Sequence, residues 1–249
     1  MSIAEKLTTI AENEQRVFEA GKTAEWNELW DGLQSVGTRT DYRRFCYSTQ
    51  FIIDRDTTPR WNFKPKYDIK PSTAAEMFRQ FNSGSGAGIR YQNLKIDLTQ
   101  WLEDLGVAFD TSNCIDAQSM LYNCQGISRM PFLDFSKCTG ANTLAYFCGA
   151  SAVLTTIDGI KSSENTAWDS RSFTSNNQLN HCIFSGVIAK SFSLSNTKLD
   201  HESLLSVLNT LKDLTGTGTT LTLTLGATLQ AKLTDAEKAI ATQKGWTLA

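Results

Sequence analysis

Histidine is nearly absent from this chain, with two in 249 residues. Imidazole acid–base chemistry therefore has two candidates, His181 and His201, and neither stands in a nucleophile or metalloprotease motif. Cysteine is also sparse: Cys46, Cys114, Cys124, Cys138, Cys148 and Cys182 are too few for a dense disulfide framework. Nine residues separate Cys114 from Cys124, far more than the close pairs of a zinc site. Reduced thiols filling small core positions are the expectation, although vertical disulfides between stacked units fit the usual Cα spacing.

Charge of one sign is lacking as well. The 24 basic and 26 acidic residues leave a formal charge of −2, so no footprint for nucleic acid or an anionic membrane is expected. No stretch of about 18 consecutive apolar residues occurs, which argues against a spanning helix. The leader MSIAEKLTTIAENEQRVFEAGK has neither a basic start nor an unbroken apolar run, so it does not read as a secretory signal. Synthesis in a cytoplasm is expected, and a protein carried in a particle reads the same way.

What the chain does have is a self-similarity. From Phe109 it runs FDTSNCIDAQSMLYNC and from Leu133 it runs LDFSKCTGANTLAYFC, so Asp110 and Asp134, Cys114 and Cys138, Tyr122 and Tyr146, and Cys124 and Cys148 each stand 24 apart. A period of that length with apolar positions in register predicts a solenoid, in which each unit covers its neighbour's apolar face. Each unit is expected to supply a short strand, a polar turn and a short helix. Rungs about 4.8 Å apart should stack Cys114 on Cys138 and Cys124 on Cys148.

Three segments follow from the pattern. Residues 1–35 read as a helix with a Ser2–Glu5 capping-box spacing, whose stripe Ile3, Leu7, Ile10, Val17 and Ala24 is broken at Glu14 and Gly21. That stripe fits a trimeric stalk or a helix packed on its own domain equally well. Residues 36–74 form an irregular capping segment that holds three of the four prolines. Residues 75–249 are the repeat domain with a helical C-terminal cap. Within it Met77 and Phe78 begin the repeats, a helical turn covers Leu98 to Leu105, and strands fall in 182–195 and 219–227. Helices then cover 200–214 and 235–244, the second with Thr234 as N-cap and Gly245 as its stop.

Phe109, Asp110, Thr111, Ser112 and Asn113, the Met120–Leu121 pair and the terminal Asn123–Cys124 resemble the BspA-type leucine-rich repeat. That resemblance implies an α/β solenoid, a short leucine-rich-repeat stack with parallel strands, over about 75–230. The leader, the segment FKPKYDI at 63–69 and the ending EKAIATQKGWTLA resemble proteins of phages and prophages of gut bacteria. This second likeness implies a virion or tail-associated accessory protein, made in the bacterial cytoplasm and joined to other virion proteins through its N-terminal helix.

No catalytic, metal or cofactor-binding residue is assigned. Asp54 and Asp56 read as a solvated turn, and the glycine-rich stretches at 83–88 and 215–220 lack the Gly-Lys-Ser/Thr of a phosphate cradle. The aromatic residues carry the binding expectation. Trp61 beside Arg60, and Trp168 within SSENTAWDSRS, suit contact with protein or a cell-surface glycan, while Tyr122 and Tyr146 could form an aromatic ladder. The expected function is non-enzymatic adhesion or display, with a homo-oligomeric trimer as one state. The alternatives are a carbohydrate-active enzyme using the vertical pair Asp110 and Asp134, and an intracellular protein-interaction module. Of the two roles, side-chain to backbone capping of turns is the one expected of those aspartates.

Overall fold

A computed structural model describes residues 41–43, 67–80 and 95–249, with the backbone of 52–53 and 59–60. The expected helix at 1–35 with Ile3, Leu7, Ile10 and Val17, the loop at 83–88, and Trp61 lie outside these residues. The chain is α/β with parallel sheets. Ile52–Ile53 (β1) and Pro59–Arg60 (β2) form an antiparallel pair, the extended conformation that proline favours.

The main sheet joins Ile96–Asp97 (β3), Ile127–Met130 (β4), Leu133–Asp134 (β5), Thr156–Ser162 (β6) and His181–Gly186 (β7), all parallel. β4 pairs with Thr156 and Ile157 of β6, and β5 pairs with Ile160 and Lys161 further along. The sheet curls into a half-barrel. At the bend Gly159 is closely approached: a Cβ there would sit 2.9 Å from the Phe132 ring and 3.1 Å from the Ile183 carbonyl, so any side chain would require its neighbours to shift. Gly186 ends β7 at φ +78, where a Cβ would lie 2.0 Å from the Ser162 carbonyl. This turn divides the continuous strand expected over 182–195.

Helix Leu98–Leu105 (α1) is capped by Asp97, which accepts the Gln100 N–H at 2.9 Å, and stops at left-handed Gly106. Phe192–Ser193 (β8), Leu221–Thr224 (β9) and Trp246–Leu248 (β10) form a second, three-stranded parallel sheet. Around it lie His201–Thr210 (α2), Gly226–Gln230 (α3) and Asp235–Gln243 (α4). α4 begins with the Thr234–Glu237 capping box and is followed by Gly245 at φ +79, as expected from the sequence. Trp246 closes this end, buried, with its indole N–H donated to the Lys212 carbonyl at 2.8 Å.

The short helix expected in each unit is replaced by a ribbon of turns. In the segment around 117–124 the N–H groups of Met120, Tyr122 and Cys124 bond the carbonyls of Ala117, Ser119 and Leu121. The alternate N–H groups, from Ala117, Ser119, Leu121 and Asn123, reach across to Thr143, Ala145, Phe147 and Gly149 of the following unit. The segment 74–80 does the same onto Asp116, Gln118, Met120 and Tyr122, and Cys148 and Ala150 reach Ser172 and Thr174. A helix directs all its N–H groups along its own axis. The ribbon spends half of them between units.

Its geometry places a left-handed residue at every fourth position: Glu76 and Gln80, Ser119 and Asn123, and Asn142, Tyr146 and Ala150. None is glycine, and each costs about 1–2 kcal/mol locally. The cross-unit bonds and the burial of Met77, Phe78, Met120, Leu121, Leu144, Phe147 and Cys148 offset that cost. These side chains belong to one hydrophobic core running from Tyr42 to Trp246.

The 24-residue register holds at Cys114 and Cys138, where the Cys138 Sγ–H donates to the Cys114 carbonyl at 3.3 Å. Lys137 likewise reaches Asn113 of the preceding unit. In the ribbon the register slips: Leu121 and Asn123 bond the carbonyls that flank Cys148. Cys148 therefore falls opposite 121–123 and not Cys124, which corrects the expected second cysteine step. Residues 139–141 lie in the segment that absorbs the slip.

Candidate functional site

The segment that absorbs this slip borders a cavity of about 520 Å³, lined by Thr139, Ala141, Asn142, Asn165, Ala167, Trp168, Asp169 and Lys190. Three separate stretches meet there: 139–142 at the start of a turn ribbon, 165–169 after β6, and Lys190 between β7 and β8. The second stretch is tied down from beneath. Thr166 is buried and donates its hydroxyl to the Phe135 carbonyl at 3.1 Å, and the Ala167 N–H bonds the Cys138 carbonyl at 2.8 Å.

Arg171 joins two walls of the cavity. Its Nη2 donates to Asn142 Oδ1 and to Asp169 Oδ2, both at 2.6 Å, and its Nε reaches the same Asp169 oxygen at 3.2 Å. The other Asp169 oxygen accepts the Arg171 backbone N–H at 2.8 Å. Asp169 is thus neutralised within the wall. Lys190 is exposed and makes no ion pair with any described residue. The rim carries one unmatched positive charge.

Trp168 is not the exposed contact that its polar neighbours suggest. It is 4 % exposed, stacked on Phe173 at 5.6 Å and packed against Phe135, Phe184 and Phe192. Burying an indole among four phenylalanines gains more than any contact its polar flanks could offer in solvent. Its Nε1–H is buried with no acceptor, an arrangement that costs about 1–3 kcal/mol. Trp168 anchors the 165–169 wall.

Tyr122 and Tyr146 do form the expected ladder. Their rings meet edge to face at 5.7 Å, with the Arg79 guanidinium 5.5 Å over Tyr122 and that of Arg171 5.5 Å over Tyr146. Gly149 makes room for this pair, since a Cβ there would lie 3.1 Å from the Tyr122 ring. The two tyrosines are half-buried and already engaged, so they form a wall and not a free platform.

The acidic pair considered for catalysis caps turns. Asp110 accepts the Ser112 N–H and Asp134 the Ser136 N–H, each at 2.9 Å, and Asp134 also pairs with Lys161 at 2.9 Å. The Ser112 bonds hold Asp110 below the usual carboxylate range. Burial pushes Asp134 up, but Ser136 and Lys161 together outweigh it and leave it lowered too. A glycosidase needs one of two such carboxyls raised to act as an acid. This pair offers the reverse.

Both histidines face carboxylates: His181 Nδ1 lies 2.8 Å from Asp200 Oδ2, and His201 Nε2 lies 2.9 Å from Glu237 Oε1. Cys182, beside His181, is buried with its thiol pushed well above its ordinary pKa by burial, which makes it a poor nucleophile. Burial likewise raises Cys124 and Cys148 to about 12. Among the described residues no group of three or more His, Cys, Asp or Glu side chains is placed to hold a metal ion, and no helix is long and apolar enough to cross a membrane.

Sequence reading missed Thr139, Asn142, Asn165, Asp169 and Lys190. The sequence carried no signal for them: TGAN at 139–142 aligns without a gap on IDAQ at 115–118, and the slip shows only in the hydrogen bonds. Comparisons of the chain with protein-family models, curated proteins and solved structures give no match.

Proposed function

We propose that this chain is a non-enzymatic adhesion or display protein of a phage particle, built as a short leucine-rich-repeat solenoid of BspA type. The observation that carries the reading is the cross-unit ribbon: successive segments bond sideways through alternate N–H groups while their apolar side chains enter one core. Such a stack is rigid and presents its loops on a fixed frame, which suits recognition of a host surface or of another virion component. Support also comes from the tasks of the acidic and imidazole groups, which cap turns and pair with each other.

In this reading the segment 1–35 attaches the protein to the particle and assembles it as a trimer, so that several weak contacts act together. The test is recovery with purified particles. The full chain should sediment with the virions and give the mass of three chains by light scattering, and a chain lacking 1–35 should stay in the lysate supernatant at the mass of one chain. A full chain that never accompanies particles, or a deletion that leaves the number of chains per assembly and the recovery unchanged, contradicts the proposal.

A further inference from the structure

We propose that the cavity between 139–142, 165–169 and Lys190 is a saccharide subsite for a uronic acid residue, with Lys190 receiving the carboxylate and the side chains of Thr139, Asn142 and Asn165 meeting ring hydroxyls. The inference rests on the adhesion reading and names the ligand class of that function. The cavity is an open surface depression of about 520 Å³ lined mainly by polar groups, the form of a shallow site that leaves part of its ligand in solvent and not of an enclosed apolar pocket.

The lining chooses between ligand classes. A sugar hydroxyl both donates and accepts, and so do the two amide side chains and the threonine hydroxyl that line this cavity. With Asn142 Oδ1 already accepting from Arg171, its Nδ2 remains for an oxygen of the ligand. A nucleobase would need an aromatic face, and Phe173 already stacks on Trp168. A polyphosphate would need several cations, and Arg171 is held by Asp169, which leaves Lys190 as the free charge of this lining. A ring of hydroxyls bearing a single carboxylate matches what is left.

The placement of the site supports a built feature. Residues 139–141 stand where the hydrogen-bond register between units slips, and Arg171 locks Asn142 and Asp169 to each other. Trp168, packed against Phe135, Phe173, Phe184 and Phe192, fixes the opposite wall. Such fixed walls reduce the ordering that a weakly bound sugar must bring about.

Titration calorimetry of the full chain with sodium glucuronate, glucose and sodium acetate separates ring from charge. Glucuronate should bind with a Kd on the order of millimolar, and glucose and acetate each roughly tenfold more weakly. Lys190→Gln should reduce glucuronate binding to the level of glucose. Asn165→Ala and Thr139→Ala should weaken both sugars. Lys198→Gln, which alters a lysine bonded to Gln178, should change neither.

Acetate binding as tight as glucuronate, glucuronate binding that survives Lys190→Gln, or no sugar binding at all overturns the subsite. Attachment of the same proteins to host cells keeps this outcome apart from the broader reading. Wild-type attachment without glucuronate binding overturns the subsite and leaves adhesion standing. Glucuronate binding without attachment supports the subsite and contradicts host-surface adhesion.

Discussion

Asp200 illustrates how much a single side chain holds at the start of the C-terminal layer. One of its oxygens caps α2 by accepting the Ser203 N–H at 2.8 Å, and the other meets His181 of β7 at the same distance. Burial raises its pKa, but the bonds from Ser203 and His181 outweigh that effect and leave it below the ordinary aspartate value. The folded state therefore binds this proton more weakly than the unfolded state. The resulting stabilisation is complete above the ordinary aspartate pKa of about 3.9, and is lost as pH falls through the lower folded value. In urea titrations across pH 2–7, Asp200→Asn should show a shallower acid decline than the wild type. Parallel acid limbs would contradict this role.

At the same scale, residue chemistry was readable from sequence where it is local. Asp110, Asp134 and Thr234 serve backbone groups two or three positions away, so their caps could be assigned from spacing. Trp168 could not be placed this way. Its neighbours in sequence are polar, and the phenylalanines that bury it come from 135, 173, 184 and 192.

At the scale of elements, the ribbon at 117–124 explains both the success and the failure of the periodicity argument. Its buried apolar residues Ala117, Met120, Leu121 and Cys124 recur at i, i+3, i+4 and i+7, the signature of an amphipathic helix, with Ser119 buried beside them. Successive turns that advance four residues place side chains with almost the same spacing. Burial was legible and hydrogen bonding was not. Ser119→Gly separates the two. In a helix interior it should cost about 0.5 kcal/mol in denaturant unfolding, the difference between the serine and glycine helix propensities. At φ 53 in the ribbon it should stabilise by up to about 1 kcal/mol, because it removes left-handed strain. A loss of about 0.5 kcal/mol would argue for the helix.

At the scale of the whole molecule, the repeat made parallel strands readable, since units that follow each other in one sense cannot pair antiparallel through tight hairpins. It gave no view of the cavity. Three stretches that lie up to about fifty residues apart in sequence form that site, and only the course of the chain in space brings them together. Of the second sheet, β8 and β9 fall within stretches legible as strands, whereas β10 was not legible: the sequence has Trp246 only closing the end after the last helix. Its separation from the main sheet follows from Gly186, where Ser162 blocks any side chain and the strand must turn.

Sideways pairing of neighbouring turn segments through alternate backbone N–H groups is the observation on which the proposed solenoid and its display function rest. Scalar couplings across hydrogen bonds, measured by NMR on deuterated, ¹⁵N,¹³C-labelled protein, observe those contacts directly. Correlations should join the nitrogens of Ser119 and Leu121 to the carbonyl carbons of Ala145 and Phe147, and that of Ala150 to Thr174. Couplings from Ser119 to Ile115 and from Leu121 to Ala117, the pattern of a helix closed on itself, would contradict the account.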